Sequence, residues 1–403
     1  MTINADDFEA LQQPAIRDAL RTHAALQGDA FMLRFGSTAG WPSRAMAEQL
    51  RCRHKARAKL PDWPIDELLF TLQAIEQCSS LATARFKASL VNGRILDLCC
   101  GLAVDAIAMA QAGCSVTAHE LDTDLARLVR HNAAKLTVDL TLLERDSMQA
   151  LTDYHAEAFD WIYADPDRRA GGRTRDQRAL SLAECSPQLD THLEALARVA
   201  PRMLIKLPPG LDLASLQREM PSCQRVLFIS HGGECREALA VCDHHAAARH
   251  HAVTEAVILN DDGSVRYALA DDRRPVPSAV PPAAWLYEPD PALLRAHALA
   301  ALANAHGLHP LHPDVSVLTA AQRAPDFPGR VSRVIDHGRY EPKRLRKHLK
   351  QLGITTAQIA RRHFPYPPDT IAKQLRIGSS GSRRLLCYRD CDDTLCYVLC
   401  VPE

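Results

Sequence analysis

The chain has 403 residues, 47% of them hydrophobic, and its 48 Lys+Arg are matched by 48 Asp+Glu. That is room for two or three globular domains with no net charge to name a partner, so any nucleic-acid footprint has to be local. No apolar run reaches the roughly 18 residues of a membrane helix, and the opening MTINADDFEA lacks a signal-peptide core, which predicts a cytoplasmic protein without a membrane partner. Thirteen cysteines, an odd number with no C-x-x-C pair, argue for reduced thiols and not for a disulfide framework.

The first ninety residues predict helices. DDFEALQQPAIRDAL, SRAMAEQLRCRHKARAKL, PIDELLFTLQAIEQC and SSLATARFKASLV each space apolar residues by three and four. The second segment carries a basic stripe, Arg51, Arg53, His54, Lys55, Arg57 and Lys59, which is expected to be a solvated helix face. From Asn92 the texture changes. RILDLCC, CSVTAHE, LTLLERD, FDWIYADP and RMLIKLPP read as strands, separated by the helices GLAVDAIAMAQAG, TDLARLVRHNAAKL and LDTHLEALARVAP. Such alternation predicts a parallel sheet covered by helices on both faces. RVLFIS, EALAVCD and TEAVILN follow with short connections, which suits an antiparallel edge.

Residues 271–283 are proline-rich and patternless, and are expected to link the sheet domain, 92–270, to a further domain, 284–403. Residues 1–91 form the N-terminal helical domain in this partition. In the last domain DPALLRAHALAALANAHG reads as a helix stopped by Gly307, RVSRVIDHG as a strand, and EPKRLRKHLKQLGI as a strongly basic helix. Cys387, Cys391, Cys396 and Cys400 fall in a closing hairpin, where the spacing of four would put each pair on one strand face. Small buried side chains are the expected reading there, because structural zinc wants closer ligand pairs. His244, His245, His250 and His251 read as a surface loop, so no metal site is expected.

Chemistry concentrates at the strand tips. Four successive strands end in an acid, Asp97, Glu120, Asp146 and Asp165, along the edge where open α/β sheets bind ligands. A single strand-end acid is usually a turn or cap residue; four in register are harder to explain that way. After Asp97 comes a small-residue turn in which Gly101 and Ala103 let a ligand approach the backbone. Glu120 lies 19 residues past Gly101, near the spacing at which an acid takes ribose hydroxyls. A dinucleotide would need its pyrophosphate held, and an acid at Asp97 opposes that. S-adenosylmethionine carries a sulfonium and an amino group and no phosphate, so Asp97 suits it.

On the residues DLCCGLAVDA, AHELD, RDSM and YADPDRR, the chain resembles the class I S-adenosylmethionine-dependent methyltransferases over 92–270. It also resembles a bacterial group of them with a C-terminal THUMP-like domain. That likeness rests on KLPDWP, EQCSSLATARFKA, GGECREAL, WLYEPDPALLRAHAL and LHPDVSVLTA. The resemblance implies an α/β fold: a Rossmann-like methyltransferase sheet, mostly parallel with an antiparallel edge strand, an N-terminal helical domain and a C-terminal α+β THUMP-like domain. It implies that Asp97, Cys99, Gly101, Ala103 and Asp105 hold the methionine part of the cofactor. Gln77, Ser79 and Ser80 would cover that end, although a helix N-cap at Ser79 or Ser80 accounts equally for the serines. Glu120 and Leu121 would take the ribose, Asp146 and Ser147 would sit by the adenine, and Asp165 and Pro166 would face the transferred methyl. Ala103 departs from the glycine usual in this turn.

Methyltransferases acting on exocyclic base amines follow the corresponding Asp-Pro with an aromatic residue that stacks on the base. Here Asp167 and Arg168 follow instead. Arg168 and Arg169 suit an anionic substrate such as RNA, by stacking or by pairing phosphate, or else they pair internally with Asp165 or Asp167. Gly171, Gly172, Arg173 and Arg175 read as a basic lid, and Lys206 beside it is taken with Arg168 and Arg169 as substrate-binding. Arg339, Lys343, Arg344, Arg346, Lys347 and Lys350 add a basic helix in the last domain. The expected function is therefore methyl transfer from S-adenosylmethionine to RNA, at an exocyclic base amine. A small-molecule methyltransferase with an anionic substrate, and a non-catalytic module binding cofactor and RNA, remain alternatives. Salt dependence of the acceptor separates the first two, and absence of turnover marks the third.

Overall fold

The computed structural model describes residues 3–167, 182, 185–247 and 249–403. Two units partition the chain. One is Met1–Val226 with Glu237–Ala252 and Leu259–Val265; the other is Leu227–Arg236 with Val253–Ile258 and Arg266–Glu403.

The first unit opens with six helices: α1 (Ala5–Gln12), α2 (Pro14–Thr22), α3 (Gly28–Phe35), α4 (Ser43–Lys59), α5 (Leu72–Gln77) and α6 (Leu81–Leu90). The single helix expected over DDFEALQQPAIRDAL is two. Pro14 has no N–H to continue a helix and drives Gln13 to ψ 135°, so α1 stops and α2 begins with proline at its first position. The basic stripe of α4 is also not a simple solvated face. Arg53 is buried and donates to the Asp66 carbonyl, Arg57 pairs with Asp66, and the Lys59 ammonium donates to the carbonyls of Ile75 and Glu76.

PIDELLFTLQAIEQC is a short 3-10 turn, an extended segment and then α5, not one helix. Two fully buried amides account for this. Gln49 on α4 accepts from the Phe70 N–H (3.1 Å) and donates to the Phe70 carbonyl (2.7 Å). Asn132 does the same for Leu69, at 3.0 and 2.9 Å. Each side chain takes the place of a neighbouring β-strand, so extended backbone can be buried without orphan polar groups.

The sheet elements are β1 (Arg94–Asp97), α7 (Val104–Gln111), β2 (Ser115–His119), α8 (Thr123–Lys135), β3 (Thr141–Leu143), α9 (Ser147–Ala150), β4 (Trp161–Ala164), α10 (Leu193–Val199), β5 (Arg202–Leu207), α11 (Leu213–Glu219), β6 (Cys223–His231), β7 (Glu234–Asp243), β8 (Val253–Leu259) and β9 (Val265–Ala270). Strands β3-β2-β1-β4-β5 run in that order and all pair in parallel, while β7 is antiparallel to β5. The right-handed crossovers of such a sheet place its helices on the faces and the C-terminal ends of β1, β2 and β4 side by side.

The second unit holds β10 (Trp285–Pro289), α12 (Pro291–Arg295), α13 (Leu299–His306), β11 (His309–His312), β12 (Val315–Ala320), β13 (Gly329–Arg339), α14 (Pro342–Gln351), β14 (Gln358–Arg362), α15 (Pro368–Leu375), β15 (Arg384–Arg389) and β16 (Leu395–Pro402). Its sheet is ordered β11-β12-β10-β13-β16-β15-β14. The one helix expected from Asp290 to Gly307 is divided at Ala296–Ala298, where His297 takes φ 58°; Gly307 stops α13 in the left-handed conformation as expected. Cys396 and Cys400 share a buried face of β16, but Cys391 lies exposed in the turn after β15, so the first cysteine pair is not on one strand face.

Replacing Asn132 by leucine leaves the Leu69 N–H and carbonyl buried without partners, and should cost about 2 kcal/mol or more. Urea unfolding followed by far-UV circular dichroism measures this; an unmoved transition would show that the extended segment does not depend on the amide.

Candidate active site

The turn after β1 is built from backbone. The Cys100 N–H donates to the His119 carbonyl (2.9 Å), tying the β1 turn to the end of β2, and the Ala103 N–H donates to the Cys100 carbonyl (2.7 Å) before α7 begins. Gly101 sits at φ 54°, and a Cβ built there meets nothing within 4 Å, so the turn edges an open hollow. Ala103 adopts φ 58°, ψ 25°, a left-handed conformation that glycine takes more cheaply. The substitution for glycine thus places strain in the loop backbone in addition to bulk.

Asp97 lies beneath this turn, 1% exposed. Its Oδ1 accepts from the Cys99 N–H at 3.1 Å, and its Oδ2 has no hydrogen-bond partner. Burial pushes its carboxyl well above the usual range, and repulsion from Asp105, Asp165 and Glu120 adds to this against the Cys99 hydrogen bond. A buried acceptor without a donor is a place prepared for one. Glu120 closes over the loop, accepting from the Gly101 N–H and from the Asp122 N–H, each at 2.9 Å. Four lone-pair sites on its two oxygens leave capacity for a hydroxyl.

A second layer is charged and dry. The Lys87 ammonium on α6 is 0% exposed; it donates to Ser79 Oγ (2.6 Å) and pairs with Asp105 Oδ1 and Glu237 Oε1, both at 3.0 Å. Ser79 Oγ and the Tyr163 hydroxyl both donate to Asp105 Oδ2, at 2.8 and 2.7 Å. Burial would raise the Asp105 carboxyl, but Lys87, Lys206 and the Tyr163 hydrogen bond outweigh it and hold it below the usual range. Sequence reading did not single out Lys87, Tyr163 or Glu237. Glu237 lies in GGECREAL, and only the antiparallel pairing of β7 with β5 brings it here.

Ser79, Gly101, Asp105, Glu120 and Tyr163 of these groups border a cavity of about 440 Å³. Among the predicted residues Gln77, Ser79, Cys99, Gly101, Asp105, Glu120, Asp165 and Pro166 line it. Ser80, Asp97, Ala103, Leu121, Asp146, Ser147 and Lys206 are not lining residues; Asp97 lies buried beneath the turn and Lys206 is buried behind Asp165. Ser80 caps α6 through the Thr83 N–H, Asp146 caps α9 through the N–H groups of Met148 and Gln149, and Leu121 is 72% exposed. The turn-or-cap reading is thus realised at Asp146 and Ser80. Arg168, Arg169 and the lid residues Gly171, Gly172, Arg173 and Arg175 lie outside the described residues. The N-terminal helical segment contributes a wall, with Ile3, Thr71, Gln73 and Glu76, that no motif announced. Glu76, Asp105, Glu120, Asp122, Asp124, Asp165 and Asp167 all line the cavity, and no lysine or arginine does among the described residues. Asp165 Oδ2 accepts from the Lys206 ammonium at 2.6 Å.

Among the described residues no group of three or more His, Cys, Asp or Glu is placed to hold a metal ion, and no helix is long and apolar enough to cross a membrane.

Comparison with known proteins agrees with this geometry. Residues 329–400 match the THUMP domain-like family. Proteins of two Mycobacterium tuberculosis strains, CDC 1551 and H37Rv, described as uncharacterized S-adenosylmethionine-dependent methyltransferases, are each 27% identical over 358 residues, covering 87% of this chain and 92% of theirs. A crystal structure from Porphyromonas gingivalis W83, described as a methyltransferase, is 24% identical, covers both chains fully and superposes with a TM-score of 0.83. The expected methyltransferase fold is therefore the fold of this chain. The resemblance to S-adenosylmethionine-dependent methyltransferases with a THUMP-like C-terminal segment is borne out by these relatives.

Replacing Lys87 by methionine strands Asp105 and Glu237 as buried, unpaired carboxylates, and should cost about 3–5 kcal/mol. Thermal unfolding compared with a variant of exposed Lys343 tests this; equal melting of the two would remove Lys87 from any structural role.

Proposed function

We propose that this chain, a methyltransferase of the S-adenosylmethionine-dependent kind, transfers its methyl group to RNA, with an exocyclic base amine as acceptor. Among the described residues every charged side chain that lines the cavity is an acid, and this carries the cofactor half of the reading. A pyrophosphate would be repelled there, whereas a ligand bearing a sulfonium and an ammonium is attracted. The partnerless Asp97 Oδ2 offers an acceptor for the ammonium, and the open hollow at Gly101 offers backbone approach. In this reading Gln77, Ser79, Asp97, Cys99, Gly101 and Asp105 hold the methionine end, and Glu120 holds the ribose.

The bound cofactor supplies an electrophilic methyl whose bond to sulfur breaks as the bond to nitrogen forms, the electron pair leaving with sulfur. The chain's task is alignment. Asp165 accepts a hydrogen bond from the amine and so directs its lone pair, Pro166 shapes the floor beside it, and Arg168 and Arg169 hold the flanking substrate. Burial pushes the Cys99 and Cys100 thiols well up, which keeps them protonated and unfit as competing nucleophiles.

The RNA half is supported by the basic surface of the segment that matches the THUMP domain-like family. Lys343, Arg344, Arg346, Lys347 and Lys350 are carried by α14, and Arg361, Lys373 and Arg376 follow nearby in sequence. A polyanion whose backbone sets affinity suits such a surface. An anionic small molecule as acceptor is opposed by the seven lining acids.

Purified protein with labelled S-adenosylmethionine should label total RNA from a strain deleted for its gene, and not RNA from the intact strain. Asp165→Ala should lower the rate on the order of 100-fold. Label found only in small metabolites would replace RNA by a small acceptor. Replacing Lys343, Arg344, Arg346 and Lys347 by alanine should weaken RNA binding across sequences. The slope of log affinity against log salt should become shallower by about 0.7–0.9 for each phosphate that is no longer neutralised. Unchanged affinity and slope in filter binding would take α14 out of the RNA interface.

A further inference from the structure

We propose that Lys206 is the positioning residue of the acceptor side: it pins one oxygen of Asp165 so that the other is presented, at a fixed angle, to the N–H of the incoming amine. This rests on the reading of Asp165 as the group that faces the acceptor.

The argument begins with register. Ala164 of β4 pairs with Ile205 of β5, so Asp165, just past β4, and Lys206, within β5, stand at the same level of adjacent parallel strands. Their side chains meet at 2.6 Å, below the usual range for an ammonium–carboxylate hydrogen bond. The pair is unequal in exposure. The Lys206 side chain is 8% exposed, and that of Asp165 is 27% exposed and lines the cavity. The lysine is therefore the fixed partner and the carboxylate the one that can meet a ligand.

Further charges act on the buried Lys206. Burial alone would lower its ammonium, but Asp165, Glu237 and Asp105 outweigh burial and hold it above the usual range, so it stays charged. Glu237 is in turn held by Lys87, which also holds Asp105. The groups around the Lys206 ammonium are thus Asp165 beyond β4, Glu237 on β7 and Asp105 on α7, with Lys59 as the opposing cation from α4. An aspartate with both oxygens free turns about its last torsion, and its two-fold rotamer well is broad. A short charge-assisted bond to a buried, immobile donor removes that freedom.

The chemistry follows from the same pair. As nitrogen bonds to the methyl carbon and sulfur departs with the electron pair, nitrogen carries a surplus proton. An oxygen of Asp165 that shares its charge with Lys206 accepts a hydrogen bond from that N–H throughout, and the proton passes to water after transfer. Asp165 then orients the nucleophile and Lys206 acts only through Asp165.

The test is a mutant cycle read in two ways. Lys206→Met should lower kcat about 100-fold while the KM for S-adenosylmethionine and the Kd for S-adenosylhomocysteine stay within about twofold. Lys206→Arg should retain activity within about tenfold of wild type, since it keeps the donor and the charge. In an Asp165→Ala background, Lys206→Met should slow transfer by less than about twofold, because the partner through which it acts is gone. Equal slowing in both backgrounds, or a fall in cofactor affinity in proportion to the fall in kcat, overturns the proposal. Independently of turnover, nitrogen-15 lysine spectra of the full chain should contain a Lys206 ammonium signal protected from water exchange, assigned by its disappearance in Lys206→Met. That signal should vanish in Asp165→Ala, and its persistence there overturns the pair. An intact signal in a wild-type protein that methylates no acceptor pool overturns the acceptor reading, and with it the role of Lys206, while leaving the pair in place.

Discussion

The fully buried ammonium of Lys87 is the constraint on which the site depends. It joins three elements far apart in sequence: Ser79 before α6, Asp105 in α7 and Glu237 in β7. A lysine at 0% exposure forfeits its hydration, and only matched carboxylates and a hydroxyl oxygen offset that loss. The same bonds fix Asp105, which Tyr163 and Ser79 approach from the other side. The loop that carries Gly101 thus stands on a charged foundation. A methyltransferase cofactor with its own cationic centre adds positive charge to a region already dense in carboxylates, so attraction to the ligand and stability of the empty site draw on one charge arrangement.

The strand–helix alternation from Asn92 to Leu207 was plain in the sequence, because period and β-branched content agree there with what a buried parallel sheet needs. Asp97, Gly101, Glu120 and Asp165 were equally plain as strand-tip groups. Local physics explains the misses. PIDELLFTLQAIEQC has helical spacing, yet Gln49 and Asn132 offer its backbone a better-satisfied extended state. DDFEALQQPAIRDAL contains its own break at Pro14. Asp146 does not end its strand as expected: it lies three residues past β3, and its oxygen is committed to N–H groups in the first turn of α9.

Lys87, Tyr163 and Glu237 were invisible for a different reason. A lysine in an amphipathic helix and a tyrosine in a strand are commonplace, and nothing in a one-dimensional pattern says that their polar ends meet. Each lies in a motif of the resemblance, Lys87 in EQCSSLATARFKA, Tyr163 in YADPDRR and Glu237 in GGECREAL, but the string assigns these three residues no chemistry. Pairing of β7 against β5 converts Glu237 into a site component. Long-range register is what the string does not carry, and charge networks are built from long-range register.

The neutral total charge conceals two opposed local fields, an acid-lined cavity in the first unit and a basic surface on α14 in the second. Opposed fields restrict what an RNA acceptor can present. On the proposed reading, phosphates would be favoured at the basic surface and repelled at the cavity, so an uncharged part of the nucleotide would be the part to approach Asp165. A base drawn out of its stack meets that requirement, since it is neutral and offers amine N–H donors to a carboxylate. The unstacking cost is smallest in single-stranded or mismatched segments. On the proposed RNA reading, the charge pattern would favour a loop, bulge or unpaired end over a regular duplex, before any interaction specific to sequence is made.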